Sequence, residues 1–433
     1  MAIATPNTGT TVTAPGTGQS YGAPLATVTT LFFMWGFLTC LNDILVPHLK
    51  AIFDLNYARS QLIQFAFFGA YAIFSLPSAK IIDWMGYQRS MVVGLLTMGV
   101  GAFLFVPAAL AASYPLFLGA LIVLAAGITC LQVAANPYVS VLGKPETASS
   151  RLNLTQAFNS LGTFLAPFFG GLFILTQPRK IEEIRALAPD ALQAYRLHEA
   201  ATVKVPYVGL GIALVLLALA IASFKLPKIE HAQHQLGEKV NDSIWRHPNL
   251  FFGAIAIFVY VGAEVSIGSF LVNYFSQPEI GGLAPKVAAS FVAFYWGGAM
   301  VGRFIGSALL QKVKTGGLLG LCAICAAGLV ATSMLTSGHV AMYSIILVGF
   351  FNSIMFPSIF TLGIAELGPL TGDGSGYMIA AIVGGAFIPL AQGWIADRIG
   401  IHHAFFLPVI CYLYILFFAL SGSKPNSERY AKT

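Results

Sequence analysis

Charge is what this chain has least of. Lysine, arginine, aspartate and glutamate make up 9% of its 433 residues while 57% are hydrophobic. An average soluble domain is about a quarter charged, so a soluble reading is excluded. No Gly-x-x-x-x-Gly-Lys-Ser/Thr run occurs, so nothing points to an ATP-driven pump. No His-Glu-x-x-His occurs either, and all eight histidines fall in loops or at the ends of apolar stretches. No nucleophile–base pair in facing spans suggests a hydrolase, so the chain reads as neither an enzyme nor a cofactor binder. Cysteine is scarce: Cys40, Cys130, Cys322, Cys325 and Cys411 all sit in apolar stretches. The Cys322-x-x-Cys325 pair has no metal partners nearby and reads as small apolar filler. The net charge of +6 is scattered through loops, which speaks against a nucleic-acid partner. Residues 1–24 lack a basic n-region and read as a disordered tail rather than a signal peptide.

What the chain does have is long apolar runs. A helix needs about 20 apolar residues to cross a hydrocarbon core about 30 Å thick, and twelve such runs are present: 27–48, 61–82, 90–111, 115–141, 153–175, 205–225, 249–274, 287–310, 316–336, 340–364, 375–396 and 403–421. Barrel strands would be about ten residues long and would alternate in polarity. The expected fold is therefore an all-α membrane protein with twelve transmembrane helices in a lipid bilayer, as a monomer. The polar stretch 226–248 splits it into two pseudo-symmetric six-helix bundles, 25–225 and 249–422, with a short tail at 423–433. With both termini in the cytoplasm, fourteen basic residues fall on the inner side and nine on the outer, which favours that orientation. A second polar stretch, 176–204, has helical patterning over Ile181–Tyr195 and reads as an amphipathic cap on the outer side.

Two internal echoes support the split. Ile128-Thr-Cys-Leu-Gln132-Val-Ala-Ala-Asn136-Pro137 in span four matches Gly349-Phe-Phe-Asn352-Ser-Ile-Met-Phe-Pro357 in span ten when the prolines are superposed, placing Gln132 opposite Asn352. Ile82-Asp83-Trp-Met-Gly86 after span two echoes Ala396-Asp397-Arg398-Ile-Gly400 after span eleven. Gly298, Gly302 and Gly306 in span eight form a small-residue ridge suited to close helix packing.

Polar side chains inside the spans are the functional signal. A carboxylate near the bilayer centre costs roughly 2.5–3.5 kcal/mol on insertion scales, yet Asp43 and Glu264 occur in spans one and seven. Trp35, Thr39, Asn42 and Asp43 share one helical face. Thr129, Gln132 and Asn136 form a stripe in span four, and Gln156, Asn159, Ser160 and Thr163 form one in span five. Unpaired amides cost several kcal/mol in hydrocarbon, so these stripes face each other or water, either as substrate lining or as interhelical glue. Amides beside Trp35, Tyr295 or Trp296 suit a polyhydroxylated ligand, whose hydroxyls need donors and acceptors and whose ring stacks on an aromatic face. Arg303 and Lys80 lie near helix ends, so no cation at matching depth is expected for Asp43. An unpaired acid tends to hold a proton or a metal ion. Glu264, on one face with Tyr260 and Gly268, is either a sugar or cation contact or a protonated structural acid.

Three motifs carry a resemblance. Leu41-Asn42-Asp43-Ile44-Leu45-Val46-Pro47, Leu131-Gln132-Val133-Ala134-Ala135-Asn136-Pro137-Tyr138 and Arg151-Leu152-Asn153-Leu154-Thr155-Gln156-Ala157-Phe158-Asn159-Ser160 resemble the fucose–galactose–glucose:proton symporter family of the major facilitator superfamily, over essentially all twelve spans. The resemblance implies two bundles that rock about a central site. It implies that Asp43 takes part in proton coupling and that Asn159, with Gln156 one turn before it, binds sugar. The fucose branch carries a Glu where this chain has Gln132, which cannot hold a proton. The span-four motif and Val261-Gly-Ala-Glu264-Val-Ser-Ile-Gly-Ser269 look more like the glucose/galactose branch, some of whose carriers are sodium-coupled. Asp43 with oxygen donors from Asn42 and Gln132 could hold sodium, with a proton as the alternative. The expected function is import of a neutral hexose, glucose or galactose, by cation symport across a bacterial inner membrane. The expected sugar contacts are Trp35, Gln132, Asn136, Gln156, Asn159, Glu264, Tyr295, Trp296 and Asn352. The alternatives are a carrier for N-acetylglucosamine or L-fucose, a channel, or a membrane sugar sensor that does not transport.

Overall fold

The computed structural model describes residues 21–53, 57–173, 188–201, 204–224, 226–227 and 242–425. Within these, the side chains of 38–53, 57–62, 64, 167–173, 189, 192, 196, 199–201 and 285 lie outside the description. The first half contains α1 (Gly22–Phe53), α2 (Tyr57–Leu110), α3 (Tyr114–Val141), α4 (Ala148–Phe173), α5 (Pro189–Ala201) and α6 (Lys204–Ser223). The second contains α7 (Pro248–Phe275), α8 (Pro285–Leu309), α9 (Thr315–Leu335), α10 (Gly338–Asn352), α11 (Met355–Gly363), α12 (Thr371–Ala380), α13 (Gly384–Ile399), α14 (Ile401–Ala404) and α15 (Phe406–Phe417).

Among the described residues, nine segments are long and apolar enough to cross a membrane. One of them, Phe65–Leu110, has 46 residues, about twice the length one crossing needs. With α1 and α4 the crossings number twelve, as the apolar runs predict. The double-length helix bends at Gly86 (φ 81°, ψ 169°), and Gly400 after α13 adopts nearly the same backbone (φ 84°, ψ 155°). A residue with a Cβ rarely takes up that conformation, so the Asp-x-x-Gly echo is a repeated structural turn. The described helix of the first half's amphipathic stretch begins at Pro189, and the Ile181 start expected from the sequence lies outside the described residues. Proline is well placed there because its missing N–H is one the first helical turn would leave unpaired; residues 174–187 lie outside the described part.

Spans ten and eleven are each broken. Span ten divides into α10 and α11 at Ser353–Ile354, directly after Asn352, and span eleven is interrupted by a 3-10 turn at Ala381–Val383. Non-helical backbone at membrane depth persists only where protein or a cavity satisfies it. Both breaks fall in the second half, and span ten breaks beside a predicted site residue.

In the first half α1 packs on α4, and α2 on α3 and α6; in the second, α7 is central, against α11, α13 and α15. The small-residue ridge of α8 packs on span ten as expected: a Cβ at Gly302 would lie 2.7 Å from the Phe350 carbonyl, and one at Gly306 would collide with Ile354. The halves meet along α2–α12 and α4–α8.

Successive spans alternate sides, so the turns after spans two, four, six, eight and ten share the side of the linker. A set of polar contacts joins the halves on that side. Lys80 Nζ reaches Asp373 Oδ1 at 2.8 Å and Asp83 Oδ2 at 3.3 Å. Ser149 and Thr361 share a 2.6 Å hydroxyl bond, Ser150 donates to the Ser307 carbonyl at 2.7 Å, and Asn153 donates to the Arg303 carbonyl at 2.7 Å. Ser375 donates to the Val133 carbonyl at 2.9 Å. Pro137, four residues after Val133, has no N–H to return to that carbonyl. The proline frees an acceptor, and the opposite half takes it.

Candidate substrate and coupling site

In the second half, Glu264 anchors a network of phenols. Tyr260 lies one turn earlier on α7, and its one hydroxyl proton is shared between Glu264 Oε1 at 2.9 Å and the Asn352 carbonyl at 3.1 Å. The Asn352 amide donates to Tyr295 Oη at 2.9 Å and accepts from Tyr412 Oη at 2.8 Å. Asn352 therefore has its oxygen and one N–H engaged, leaving one N–H. Tyr260, Tyr295 and Tyr412 are fully buried, whereas Glu264 retains 14% exposure of its side chain. The carboxylate is thus the part of this cluster that solvent or a solute can reach.

Arg303 adds a cation to this cluster; the expectation that no cation pairs with Asp43 falls on a side chain outside the described residues. Arg303 is near a helix end along α8, and its guanidinium Nη2 comes within 4.0 Å of Glu264 Oε1. Its Nη1 bonds Ser160 Oγ of α4 in the other half, and its Nε donates to the Ser353 carbonyl at 3.4 Å. A long side chain extends past its own Cα level, so position in the sequence understates how deep a guanidinium reaches.

In the first half, Gln132 and Asn136 lie one turn apart on α3 and are buried. Gln132 Nε2 donates to Tyr71 Oη of α2 at 2.7 Å. Gln132 Oε1 and both amide atoms of Asn136 are buried without a hydrogen-bond partner among the described residues. An unpaired buried polar group costs about 1–3 kcal/mol, so these atoms form an unspent set of two acceptors and one donor group.

On α4, Gln156 is buried and Asn159 half-buried, and Asn159 Nδ2 donates to the Phe32 carbonyl of α1 at 2.9 Å. Thr163 Oγ1 bonds the Gly36 and Asn159 carbonyls, both at 3.2 Å. Gly36 permits this approach, because a Cβ there would run into the Asn159 carbonyl. Part of the α4 stripe is thus interhelical glue. Trp35 is 8% exposed and its ring lies 5.4 Å from that of Phe32. Trp296 is half-open to solvent or lipid and packs edge-on against Tyr295 at 5.1 Å. Asn42 and Asp43 lie within the α1 helix, and their side chains fall outside the described residues.

Sequence reasoning missed Tyr71, Tyr412 and Arg151. Arg151 donates to the carbonyls of Val139, Ser140 and Lys144 and to Thr147 Oγ1. It caps the last turn of α3 from the start of α4, a favourable place for a cation. Its motif position held the clue, but read as part of a sugar motif it did not suggest a cap.

Two bundles around buried carboxamides, with a carboxylate and a guanidinium at the interface, define a multi-pass membrane carrier rather than an enzyme. Residues 25–382 match the model of the Major Facilitator Superfamily. The chain is 52% identical over 424 residues to a glucose/galactose transporter of Brucella abortus, covering 98% of this chain and all of that one. It is 45% identical over 409 residues to a putative glucose/galactose transporter of Helicobacter pylori, covering 93% and 98%. The L-fucose-proton symporter of Escherichia coli is 35% identical over 416 residues, covering 93% and 94%. A crystal structure of the fucose transporter FucP described as being in the outward conformation matches at a TM-score of 0.87 and 32% identity, over 94% of this chain and all of that one. The chain belongs to the Major Facilitator Superfamily and has its fold of two six-helix bundles.

Proposed function

We propose that the protein imports a neutral hexose, glucose or galactose, by cation symport across a bacterial inner membrane. The observation that carries this reading is the unspent carboxamide set on α3: Gln132 Oε1 and both amide atoms of Asn136. Donors and acceptors one turn apart match the paired demands of sugar hydroxyls. Under this proposal Gln156 and Asn159 add to this wall, Glu264, Tyr295, Trp296 and Asn352 supply contacts from the other half, and Trp35 supplies a stacking face. In this reading Asp43, with Asn42 and Gln132, holds the driving cation, a proton or a sodium ion. The names of the 52% and 45% identical relatives favour glucose or galactose, and that of the 35% identical symporter favours a proton.

In this reading, with both termini and the linker in the cytoplasm, the polar contacts between the halves close the cytoplasmic side, which corresponds to an outward-facing state. The boundaries 25–225 and 249–422 then delimit the two rocking bodies. Cation binding at Asp43 favours the sugar-binding state, and the sugar raises cation affinity by the same factor.

The deciding experiment is uptake of labelled hexoses into proteoliposomes, with pH and sodium gradients imposed separately. Accumulation of glucose or galactose against its gradient, driven by one of the two, is the expected result. Asp43→Asn abolishes accumulation and leaves counterflow exchange. Accumulation of L-fucose instead would establish the second reading, which rests on the fucose symporter likeness. Sugar binding without flux would leave a sensor.

A further inference from the structure

We propose that Arg303 is a positioning residue that ties the protonation of Glu264 to the contact between the two halves. The guanidinium sits at a junction of three claims. Nη1 bonds Ser160 of α4 across the interface, Nε donates to the Ser353 carbonyl, and Nη2 stands 4.0 Å from Glu264. The Ser353 carbonyl is available because Pro357, four residues on, has no N–H to return to it. The arginine is therefore held by a carbonyl freed by the helix break, with its other two arms turned to the opposite half and to the carboxylate. Its own carbonyl accepts from Asn153 of α4 at 2.7 Å, so the same stretch of α8 is grasped twice by the other half.

A charge-assisted N–H···O bond is about 2.7–2.9 Å long. At 4.0 Å the guanidinium serves Ser160 rather than Glu264. A charged Glu264 draws it toward the carboxylate at the expense of Ser160, whereas a protonated Glu264 leaves it on Ser160. Protonation thus favours the state closed on the linker side, and proton loss favours its opening. Both side chains are about 15% exposed, enough for a proton to reach the carboxyl and little enough for the charge to matter. The other titratable groups facing Glu264 are Tyr260 on its own helix, Tyr295 on α8 and Tyr412 on α15. The charged or titratable groups on the remaining elements packed on α7 take other partners: His339 against Tyr343 in the first turns of α10, Asp373 beside Lys80 and Tyr377 against Trp245 on α12, Asp397 and Arg398 at the end of α13, and His402, beside Tyr274 and His403, on α14. Arg303 is the group placed to read the charge of Glu264.

The proposal rests on the rocking of the two halves, and its test uses sugar-free protein, so a different transported solute would leave it intact. Spin labels at Glu146 and Lys312, exposed on the linker side of opposite halves, report their separation in the full chain in nanodiscs. The populated fraction with the short distance is expected to fall as pH rises, by about fivefold or more, the lower end of ordinary allosteric coupling. E264Q stays at its acid-limit value. Whatever part of the response E264Q removes, R303Q also removes, with the short-distance fraction low throughout; R303K restores it in part. A full wild-type response in R303Q, or in E264Q, overturns the proposal. If R303Q does not fold, S160A serves, since it removes the acceptor across the interface and otherwise only a bond to the Gln156 carbonyl one turn back on α4. S160A should lower the short-distance fraction at acid pH and flatten the response, and wild-type behaviour in it likewise overturns the proposal.

Discussion

Gln132 in span four donates its side-chain amide to the hydroxyl of Tyr71 in span two at 2.7 Å, and this pair has a counterpart in the other half. There Asn352 in span ten donates to Tyr295 in span eight at 2.9 Å. The two amides are the residues that fall opposite each other when Pro137 and Pro357 are superposed, so the sequence echo is a repeated contact. The copies have diverged in how much capacity they leave. Gln132 keeps an unpartnered oxygen, whereas Asn352 has its oxygen taken by Tyr412.

That asymmetry predicts unequal effects of removing the two hydroxyls. Tyr71→Phe releases Gln132 from its partner and should weaken sugar affinity by about tenfold, the equivalent of about 1.4 kcal/mol. Tyr295→Phe leaves Asn352 still gripped by Tyr412 and should change affinity less. Equilibrium binding by titration calorimetry on both variants checks the order. Unchanged affinity in Tyr71→Phe would mean that the Gln132 amide held by that hydroxyl has no part in binding.

Asn159 separates lining from glue. Its Nδ2 bonds the Phe32 carbonyl, and the α1–α4 contact also depends on Gly36. Gly36→Ala forces a methyl into the Asn159 backbone and should cost about 1–3 kcal/mol, as overpacking does, seen as a lower midpoint of thermal unfolding in detergent. Asn159→Ala should lower sugar affinity strongly with a smaller loss of stability. If it lowers the midpoint and leaves affinity unchanged, Asn159 is packing alone.

Arg151→Lys is predicted to be a stability mutation. The guanidinium reaches three carbonyls and a hydroxyl around the α3–α4 turn, and an ammonium cannot fork in that way. Hydrogen bonds to charged groups are worth about 1.5–3 kcal/mol each, so the thermal midpoint should fall clearly. The protein that survives should keep its sugar preference, measured as the ratio of uptake rates for two hexoses.

The spans were legible because apolar length is a property of sequence alone, and the bilayer sets the length. The site was legible only by residue type. Gln132, Asn136 and Glu264 stand out because amides and acids are costly in hydrocarbon, wherever they point. Their partners were not legible: Tyr71 and Tyr412 are ordinary apolar-compatible aromatics until the tertiary fold brings a hydroxyl against an amide. The contact of Arg303 with Glu264 was not legible either, because its Cα lies near a helix end while its guanidinium reaches inward. Pro137 and Pro357 served in the sequence only to align the two motifs, and their role as makers of free carbonyls appears only when the neighbouring group is in place.

The Val133 carbonyl offers the sharpest test of how the halves are held on the linker side. Lys80–Asp373 is the more visible contact, but the Lys80 side chain is 67% exposed, and exposed ion pairs contribute about 0–1 kcal/mol. The Ser375–Val133 bond is buried and exists because Pro137 cannot close the helical bond. Pro137→Ala restores an N–H four residues after Val133, which competes with Ser375 for the same carbonyl. Ser375→Ala removes the donor. Each should shift the halves toward separation on the linker side, by several-fold in population, whereas Lys80→Ala should do less. Because both substitutions act on one hydrogen bond, the double variant should go little further than the larger single, a non-additivity expected of a shared partner. Distances between spin labels on the two halves measure this directly. Additive shifts from Pro137→Ala and Ser375→Ala would show that the proline acts through the bend of α3 and not through the carbonyl it frees.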